Sequence, residues 1–277
     1  MSVQRATLRQ VFDHLILLIG SVLMCGPMVA LLLTTTHPAG SLPRGGLTLL
    51  PGEAGLQNYS GLIDTALGAS GEATVLLLAW NSFVLGAGFA ALKVLLSLMA
   101  AYALTYFRVR CAPLIFAVLL LSIMLPLESR FLPTYGVVAS LELTNTHSGM
   151  ILPLLATGIG TFFFVQYLKT VPETLVEAAR MDGAGPIRYF IDILVPMSMP
   201  MMGALFIVAF VTGWNQYLWP VLIASDETRY TLVRGLQFFG PSSLTGMMLA
   251  CLSVLPPALL VILFQRQVVK GLFDGSH

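Results

Sequence analysis

The hydrophobic positions of this chain fall into long apolar runs separated by short polar segments. A helix needs about 20 consecutive apolar residues to cross the hydrocarbon core of a bilayer. Six runs meet or approach that length, and the second is interrupted only by Lys93. The pattern therefore predicts an all-α membrane protein, with residues 1–277 forming a single domain. Its six transmembrane helices are expected near residues 12–36, 75–102, 112–127, 148–168, 200–222 and 245–265.

The composition agrees with a membrane protein. The chain is 57% hydrophobic and only 10% charged, with a mean hydropathy of +0.86. Soluble domains contain about 25% charged residues, and a single soluble core of this size could not enclose so much apolar surface. Membrane lipid must cover the rest. The net charge of +1 and the lack of any block of like charges give no sign of a nucleic-acid partner.

The distribution of lysine and arginine predicts how the chain is oriented, because cytoplasmic loops of membrane proteins are enriched in both. With the N-terminus inside, nine of these residues lie in cytoplasmic segments and four lie in external loops. Both termini are therefore expected in the cytoplasm. The inner set is Arg5, Arg9, Arg108, Arg110, Lys169, Arg180, Arg188, Arg266 and Lys270, and the outer set is Arg44, Arg130, Arg229 and Arg234.

Several aromatic and charged residues are expected at the outer membrane surface. Trp80, Trp214 and Trp219 fall near the outer ends of the second and fifth spans. Indole rings favour that depth, so the three are expected to belong to an interfacial belt. Glu128 and Arg130 are expected to be solvated at the same rim.

The sequence contains no arrangement typical of a catalytic or metal site. The cysteines and histidines lie far apart and not at metal-ligand spacing, so we expect no metal. No Gly-x-x-x-x-Gly-Lys-Ser/Thr phosphate loop occurs, so any ATP hydrolysis requires a separate chain. We therefore expect a protein that is not an enzyme and has no resident cofactor. The residues considered are Cys25, Cys111, Cys251, His14, His37, His147 and His277.

The loop between the fourth and fifth spans, residues 169–199, contains the most informative motif. Pro172 suits the start of a helix, Gly183 and Gly185 would end it, and Pro186 can begin a second helix. The loop is therefore expected to form a short helix–turn–helix on the inner face of the membrane. Its motif is Glu-Ala-Ala, three residues, Gly, nine residues, and Ile-x-Val-Pro. The residues are Glu177, Ala178, Ala179, Gly183, Ile193 and Pro196.

This motif resembles the EAA loop of ABC-importer permeases, with Val195 where leucine is usual. Nearly the whole chain is similar to the carbohydrate-type permeases of that group. The similar segments are Asn-Ser-Phe at residues 81–83, Met-Leu-Pro at 124–126 and Trp-Asn-Gln-Tyr-Leu-Trp-Pro at 214–220. Within the group, the chain most resembles the second permease subunits of sn-glycerol-3-phosphate importers. The features are Leu-Pro-x-Glu-x-Arg at residues 125–130, the run at residues 214–220 and the lysine in the second span.

The resemblance implies one membrane subunit of an ATP-driven importer in a bacterial inner membrane, forming half of the translocation pathway. The implied partners are a second permease subunit, a cytoplasmic ATPase dimer and an external solute-binding protein. In the family, the EAA loop is the coupling helix that docks into the ATPase, so the six motif residues are expected to act there. The substrate is expected to be sn-glycerol-3-phosphate or a glycerophosphodiester, and a neutral sugar or oligosaccharide is the alternative.

Three polar residues are candidates for the substrate pathway. Lys93 lies thirteen residues past Trp80, which corresponds to about 20 Å of helix, and an intramembrane lysine is a functional-site hypothesis. Its charge could favour an anionic solute. Alternatively, it is a structural lysine that is paired with a carboxylate or carbonyls of the partner subunit or that snorkels inward. Asn215 and Gln216 could donate hydrogen bonds to solute hydroxyls or join neighbouring helices.

Two alternatives come from other classes of protein. A self-contained secondary transporter usually shows inverted repeats and ionisable residues at the membrane midplane. This chain has no repeat between its halves, and Lys93 is the one charge at that depth. A membrane-embedded enzyme would need clusters of His, Asp or Glu in the spans, which the sequence lacks. Both alternatives are disfavoured.

Overall fold

The computed structural model describes residues 2–41, 46–240 and 243–273, so Arg44 and His277 lie outside the described residues. The described chain is almost entirely helical, with one small hairpin of strands β1 (Ala66–Leu67) and β2 (Ala73–Thr74). The helices are α1 (Ser2–Thr34), α2 (Gly55–Asp64), α3 (Val75–Tyr106), α4 (Ala112–Met124), α5 (Phe131–Ser140), α6 (His147–Ile151), α7 (Ile159–Leu168), α8 (Glu173–Met181), α9 (Pro186–Tyr189), α10 (Val195–Trp214), α11 (Leu218–Ile223), α12 (Leu232–Gly235) and α13 (Leu244–Phe273).

Four helical segments in the described residues are long and apolar enough to cross a membrane, and the number is six if each of two bent pairs is one span. The four are Gln10–Thr34, Val75–Tyr106, Pro186–Trp214 and Leu244–Gln265. The bent pairs are Ala112–Met124 with Glu128–Ser140, and His147–Leu155 with Ile159–Leu168. The six-helix prediction is confirmed in this sense.

The third and fourth predicted spans are bent rather than straight. The third bends by 97° after Met124, and the fourth bends by 51° between Leu155 and Ile159. Pro126 lies within the first of these bends, between Met124 and Glu128, and proline cannot donate a helical hydrogen bond. The fifth span also differs from prediction, because its helix ends at Trp214 and the chain turns before α11.

The chain divides into two compact units by its internal contacts. The first unit consists of residues 1–75 and 235–254. Within it, the Tyr59 hydroxyl lies 2.9 Å from the Thr35 hydroxyl, and burial raises the pKa of Tyr59 to about 12. Strands β1 and β2 pair in antiparallel register, with Ala66 opposite Thr74. This unit thus combines a span with short connecting elements.

The second unit, residues 76–234 and 255–277, contains the helices that surround the EAA-like loop. Helices α3 and α10 approach closely, because a side chain at Gly86 would lie 3.2 Å from the Phe210 ring and one at Gly213 would lie 3.1 Å from the Gly86 Cα. A buried apolar core joins α3, α7, α8 and α10. Its members are Val94, Leu98, Ala101, Phe164, Val165, Leu168, Ala179, Tyr189, Leu194, Met201 and Leu205.

Candidate functional site

Residues 169–199 form the helix–turn–helix that the sequence predicts. Helix α8 begins directly after Pro172, and Glu173 in its first turn suits the positive end of the helix dipole. Helix α9 begins at Pro186. It continues through a π-helical segment, Phe190–Leu194, into α10. The loop is therefore joined without interruption to the fifth span.

The turn after α8 depends on the backbone conformation of Gly183, whose φ is +74°. The Ala184 N–H donates to the Ala179 carbonyl at 2.9 Å, and the Gly183 N–H donates to the Arg180 carbonyl at 3.0 Å. These two bonds define a Schellman motif, in which the residue after the C-cap adopts the left-handed conformation. A Cβ at Gly183 would meet nothing within 4 Å. The constraint is thus conformational rather than steric, and glycine satisfies it best.

The two motif alanines lie in different environments. Glu177 and Ala178 are exposed, whereas Ala179 is only 5% exposed and belongs to the buried core. The resemblance implies ATPase contact for all six motif residues, whereas Ala179 packs within its own chain. Consecutive residues of an α-helix are rotated by about 100°, so neighbouring positions reach different environments. Glu177 and Ala178 form the outward surface of α8, and Ala179 packs α8 against the other helices of the same chain.

The last two motif residues shape the junction with the fifth span. Pro196 is exposed and lies in the first turn of α10, where its missing N–H is tolerated. The π-helical segment Phe190–Leu194 comes directly before that turn, and such segments often occur at functional sites. Ile193 is half-buried and packs on the core.

Aromatic side chains bind the end of α3 to the loop, and we call Tyr102, Tyr106, Tyr189 and Phe190 the aromatic clamp. The Tyr102 hydroxyl donates to the Pro186 carbonyl at 3.0 Å. The Tyr102 ring centroid lies 5.0 Å from that of Phe190, and the Tyr106 centroid lies 5.7 Å from that of Tyr189. This contact was not predicted from the sequence. The available signal was the spacing of Tyr102 and Tyr106, which places both on one helix face.

The side chain of Lys93 binds oxygen atoms of its own chain. It is buried, and its Nζ donates to the Leu155 carbonyl at 2.8 Å and to the carbonyl and hydroxyl oxygens of Thr157. An ammonium has three donors, so none remains for a solute. The acceptors lie at the bend before α7, where backbone carbonyls lack helical partners. The structure thus gives the Lys93 ammonium its oxygen partners within this chain.

Arg130 binds the same bend. Its Nη1 donates to the Ala156 carbonyl at 2.7 Å, and the side chain is half-buried. The expected solvated position is thus wrong for Arg130, whereas Glu128 is exposed. Two cations bind three consecutive carbonyls near the C-terminal end of a half-span, where the helix dipole favours positive charge. We call residues 155–157 with Lys93 and Arg130 the capped break.

Asn215 and Gln216 lie in the turn after α10, the first exposed and the second half-buried. Neither side chain has a hydrogen-bond partner in the part of the chain that the structure describes, and no described contact links them to Lys93. They remain available to a solute or a partner chain. The neighbouring Trp214 and Trp219 are buried, and the Trp219 indole donates to the Met150 carbonyl at 3.1 Å. The expected interfacial belt is therefore wrong for these two tryptophans.

The motif at residues 81–83 holds the loop that follows α11. The Asn81 amide donates to the carbonyls of Thr228 and Tyr230 at 2.8 and 3.0 Å. The Ser82 hydroxyl accepts the Leu232 N–H at 2.8 Å. In the same loop, the Thr228 N–H binds Asp226 and holds the pKa of its carboxyl below the usual value. These residues stabilise a connection and do not form a reactive site.

The described residues contain no group of three or more His, Cys, Asp or Glu side chains placed to hold a metal ion. Cys25 and Cys111 are free and exposed, and Cys251 is free and buried. The second unit is characterised by its apolar core, the helical loop at residues 169–199 and the capped break.

This arrangement is that of a transport subunit, and the chain belongs to the family described as the binding-protein-dependent transport system inner membrane component, which it matches over residues 93–274. It is the membrane permease subunit of a binding-protein-dependent importer, a multi-pass protein of the inner membrane rather than an enzyme. The matched range includes Lys93, the bent fourth span and the whole loop.

Two relatives are similar over nearly the full length. The sn-glycerol-3-phosphate transport system permease protein UgpE of Brucella melitensis biotype 1 is 36% identical over 282 residues, covering 98% of this chain and 99% of its own. The protein of the same name from Yersinia pestis bv. Antiqua is 38% identical over 272 residues, covering 96% of each chain.

A solved structure supports the fold. One chain of a bacterial ABC transporter involved in the import of the acidic polysaccharide alginate matches with a TM-score of 0.76, covering 94% of this chain and 96% of that one. The two sequences are 16% identical. This likeness confirms the ABC-importer permease fold.

Proposed function

We propose that this chain forms half of the translocation pathway of an ATP-driven importer for a glycerol phosphoester, sn-glycerol-3-phosphate or a glycerophosphodiester. The observation that carries the proposal is the near-full-length likeness, at 36 and 38% identity, to relatives named for sn-glycerol-3-phosphate transport. The Leu-Pro-x-Glu-x-Arg segment at residues 125–130 supports the same substrate class. Import of a neutral sugar or oligosaccharide is the competing outcome.

Within this importer, the loop at residues 169–199 binds a cytoplasmic ATPase dimer. Its outward surface is Glu177 and Ala178, which are exposed on α8. Gly183 sets the turn through its positive φ, while Ala179 and Ile193 hold the loop on the bundle. Pro196 shapes the entry into α10. The remaining partners are a second permease subunit and an external solute-binding protein, and Asn215 and Gln216 are the pathway candidates left after Lys93 is assigned to the capped break.

Both termini lie in the cytoplasm on this proposal, because the charge bias places nine basic residues inside and four outside. Single cysteines at Thr65 and Arg180 test the orientation in a chain whose native cysteines are replaced. Both positions are exposed. An impermeant thiol reagent should label the Thr65 variant in intact spheroplasts and the Arg180 variant only after the membrane is opened. The reverse pattern would overturn the orientation.

The substrate class is tested with the complete importer in proteoliposomes. Radiolabelled sn-glycerol-3-phosphate, a glycerophosphodiester and a neutral disaccharide are supplied with the binding protein and internal ATP. We expect ATP-dependent accumulation of a phosphoester, and the same vesicles without ATP serve as the control. Accumulation of the disaccharide with no phosphoester uptake would move the chain to the neutral-sugar importers.

A further inference from the structure

The outer end of the first span lies level with the edge of the hydrocarbon core. Asp13 and His14 precede a charge-free run of α1 from Leu15 to Leu33, which is about 28 Å long at 1.5 Å per residue. The hydrocarbon core of a bilayer is about 30 Å thick. Since the polar pair marks one membrane surface, the three threonines that follow the run, at residues 34–36, lie close to the other surface.

The loop after α1 is tied to these threonines through its backbone. The Thr48 N–H donates to the Thr34 hydroxyl at 2.8 Å, and the Gly52 N–H donates to the Thr36 hydroxyl at 2.6 Å. We call these two bonds the threonine ties. The approach at Gly52 is close, because a Cβ there would lie 2.5 Å from the Thr36 carbonyl oxygen. The segment between Thr48 and Gly52 is therefore held at the level of the outer end of α1.

Three leucines at this segment project outward from the chain. Leu47, Leu49 and Leu50 are 47, 72 and 72% exposed, and we call them the leucine patch. Residues 46–58 contain one charged side chain, Glu53. Only 6% of the most apolar stretch of α1 is buried within this chain, so the span to which the patch is tied is itself accessible to lipid. The patch thus continues the apolar surface of the first span.

We infer that the leucine patch inserts into the outer leaflet of the bilayer and anchors the outer end of α1, with the threonine ties holding it at that depth. Backbone N–H groups near lipid must be bonded within the protein. The N–H groups of Thr48, Leu50 and Gly52 all donate to threonine hydroxyls, and Pro51 has none. The backbone can therefore stay at the headgroup level while the leucine side chains enter the hydrocarbon.

The composition of the patch favours lipid over a protein partner. The residues that contribute most to protein–protein binding are enriched in Trp, Tyr and Arg, whereas leucine is under-represented among them. A fully solvated loop would leave three large apolar side chains in water, which is unfavourable. A span that packs little on its own bundle also needs anchors at the membrane surface to fix its position. This inference holds for any solute, and the proposed orientation decides only which leaflet is entered.

The experiment measures the depth of the patch in the complete importer, reconstituted in nanodiscs. A nitroxide spin label is attached at Leu50→Cys in a chain whose native cysteines are replaced. The same label at Thr65→Cys is the control, because Thr65 is an exposed position of the same unit. Collisions of the label with oxygen, which dissolves in hydrocarbon, are compared with collisions with a water-soluble nickel chelate. The oxygen-to-chelate ratio should be severalfold higher at Leu50 than at Thr65.

Two glycine variants test the threonine ties. Gly52→Val should force the segment away from Thr36 and lower the ratio at Leu50 severalfold, towards that at Thr65. Gly46→Val is the matched control, because a Cβ at Gly46 meets nothing within 4 Å, and it should leave the ratio unchanged. Equal ratios in the two variants would overturn the role of the ties in setting the depth.

Other occupants of the patch give distinct results. A label at Leu50 that the chelate reaches as readily as at Thr65 would overturn the inference, because the patch would then lie in water. A label protected from both oxygen and chelate would also overturn it, since a protein partner would then cover the patch. The side from which the chelate reaches Thr65 tests the orientation separately, so a wrong orientation is distinguished from a failure of insertion.

Discussion

The aromatic clamp and the capped break lie in the same unit and both involve α3, yet they are held by different kinds of contact. At the clamp, rings of Tyr102, Tyr106 and Tyr189 pack together, and one tyrosine hydroxyl binds a carbonyl. At the break, Lys93 and Arg130 bind consecutive backbone carbonyls. The first contact is mainly apolar and shared among several side chains, whereas the second depends on single polar groups.

This difference determines how each region responds to change. Aromatic pairs contribute about 0.5–1.5 kcal/mol each, so the loss of one leaves the others in place. A carbonyl that loses its donor inside a bilayer has no water to replace it, and the penalty falls on that group alone. The clamp is therefore suited to a segment that adjusts during transport, and the break to a bend that must keep its shape.

The largest effect is expected for Lys93→Met. The substitution preserves most of the side-chain volume but leaves both Thr157 oxygens without the ammonium donor and leaves the Leu155 carbonyl with the Thr157 N–H alone, at a cost of roughly 2–6 kcal/mol. The subunit should be strongly depleted from the membrane, as measured by immunoblot. Lys169→Met is the matched control at an exposed position, and its abundance should stay normal. Normal abundance of Lys93→Met with slow uptake would indicate a role with the solute instead.

An intermediate effect is expected for Gly183→Val, in the loop that the aromatic clamp contacts. A β-branched residue is strained at a φ of +74°, and the left-handed region costs about 1–2 kcal/mol for residues other than glycine. The protein should insert normally, while uptake and binding of the ATPase fall severalfold. Gly185→Val is the control, because Gly185 has a φ of −73° and also has open space around its Cα. Equal uptake by the two variants would show that the turn conformation does not matter.

The smallest effect is expected for Tyr102→Phe. The substitution removes the hydrogen bond to the Pro186 carbonyl but retains the ring, and a typical hydrogen bond contributes about 0.5–1.5 kcal/mol. Uptake per ATP hydrolysed should fall by less than that of Tyr102→Ala, which also loses the ring contacts. Tyr167→Phe is a matched control, because it removes a similar bond to the Met197 carbonyl elsewhere in the unit. A larger loss in Tyr102→Phe than in Tyr102→Ala would contradict the shared character of the clamp.

The helices and the loop were predictable because their signals are local. Apolar length located the spans, and Pro172, Gly183 and Pro186 gave the ends of α8 and α9. The burial of Ala179 could have been predicted from the sequence but was not. Val176 and Ala179 are three residues apart and both pack on the core. That spacing places them on one face of α8.

The bends and their partners could not be derived from the pattern. Lys93 binds residues 62 and 64 positions further along the chain, and nothing in the local sequence identifies a carbonyl as an acceptor. The burial of Trp219 has the same origin, because its indole binds carbonyls 69 and 70 residues away. Hydropathy records how apolar a segment is but not which helix will pack against it.

The separation of Lys93 from its acceptors also has a consequence for biogenesis. The ribosome synthesises Lys93 before the 62 residues that end at Leu155, an interval of roughly 3–12 s at about 5–20 residues per second. A lysine at the centre of a lone helix opposes insertion by about 2.5–3.5 kcal/mol. The second span is therefore synthesised before the carbonyls that its ammonium binds in the folded chain. The carbonyls that offset this cost become available when the bent fourth span is synthesised. The folding of the second span is therefore coupled to that of the fourth.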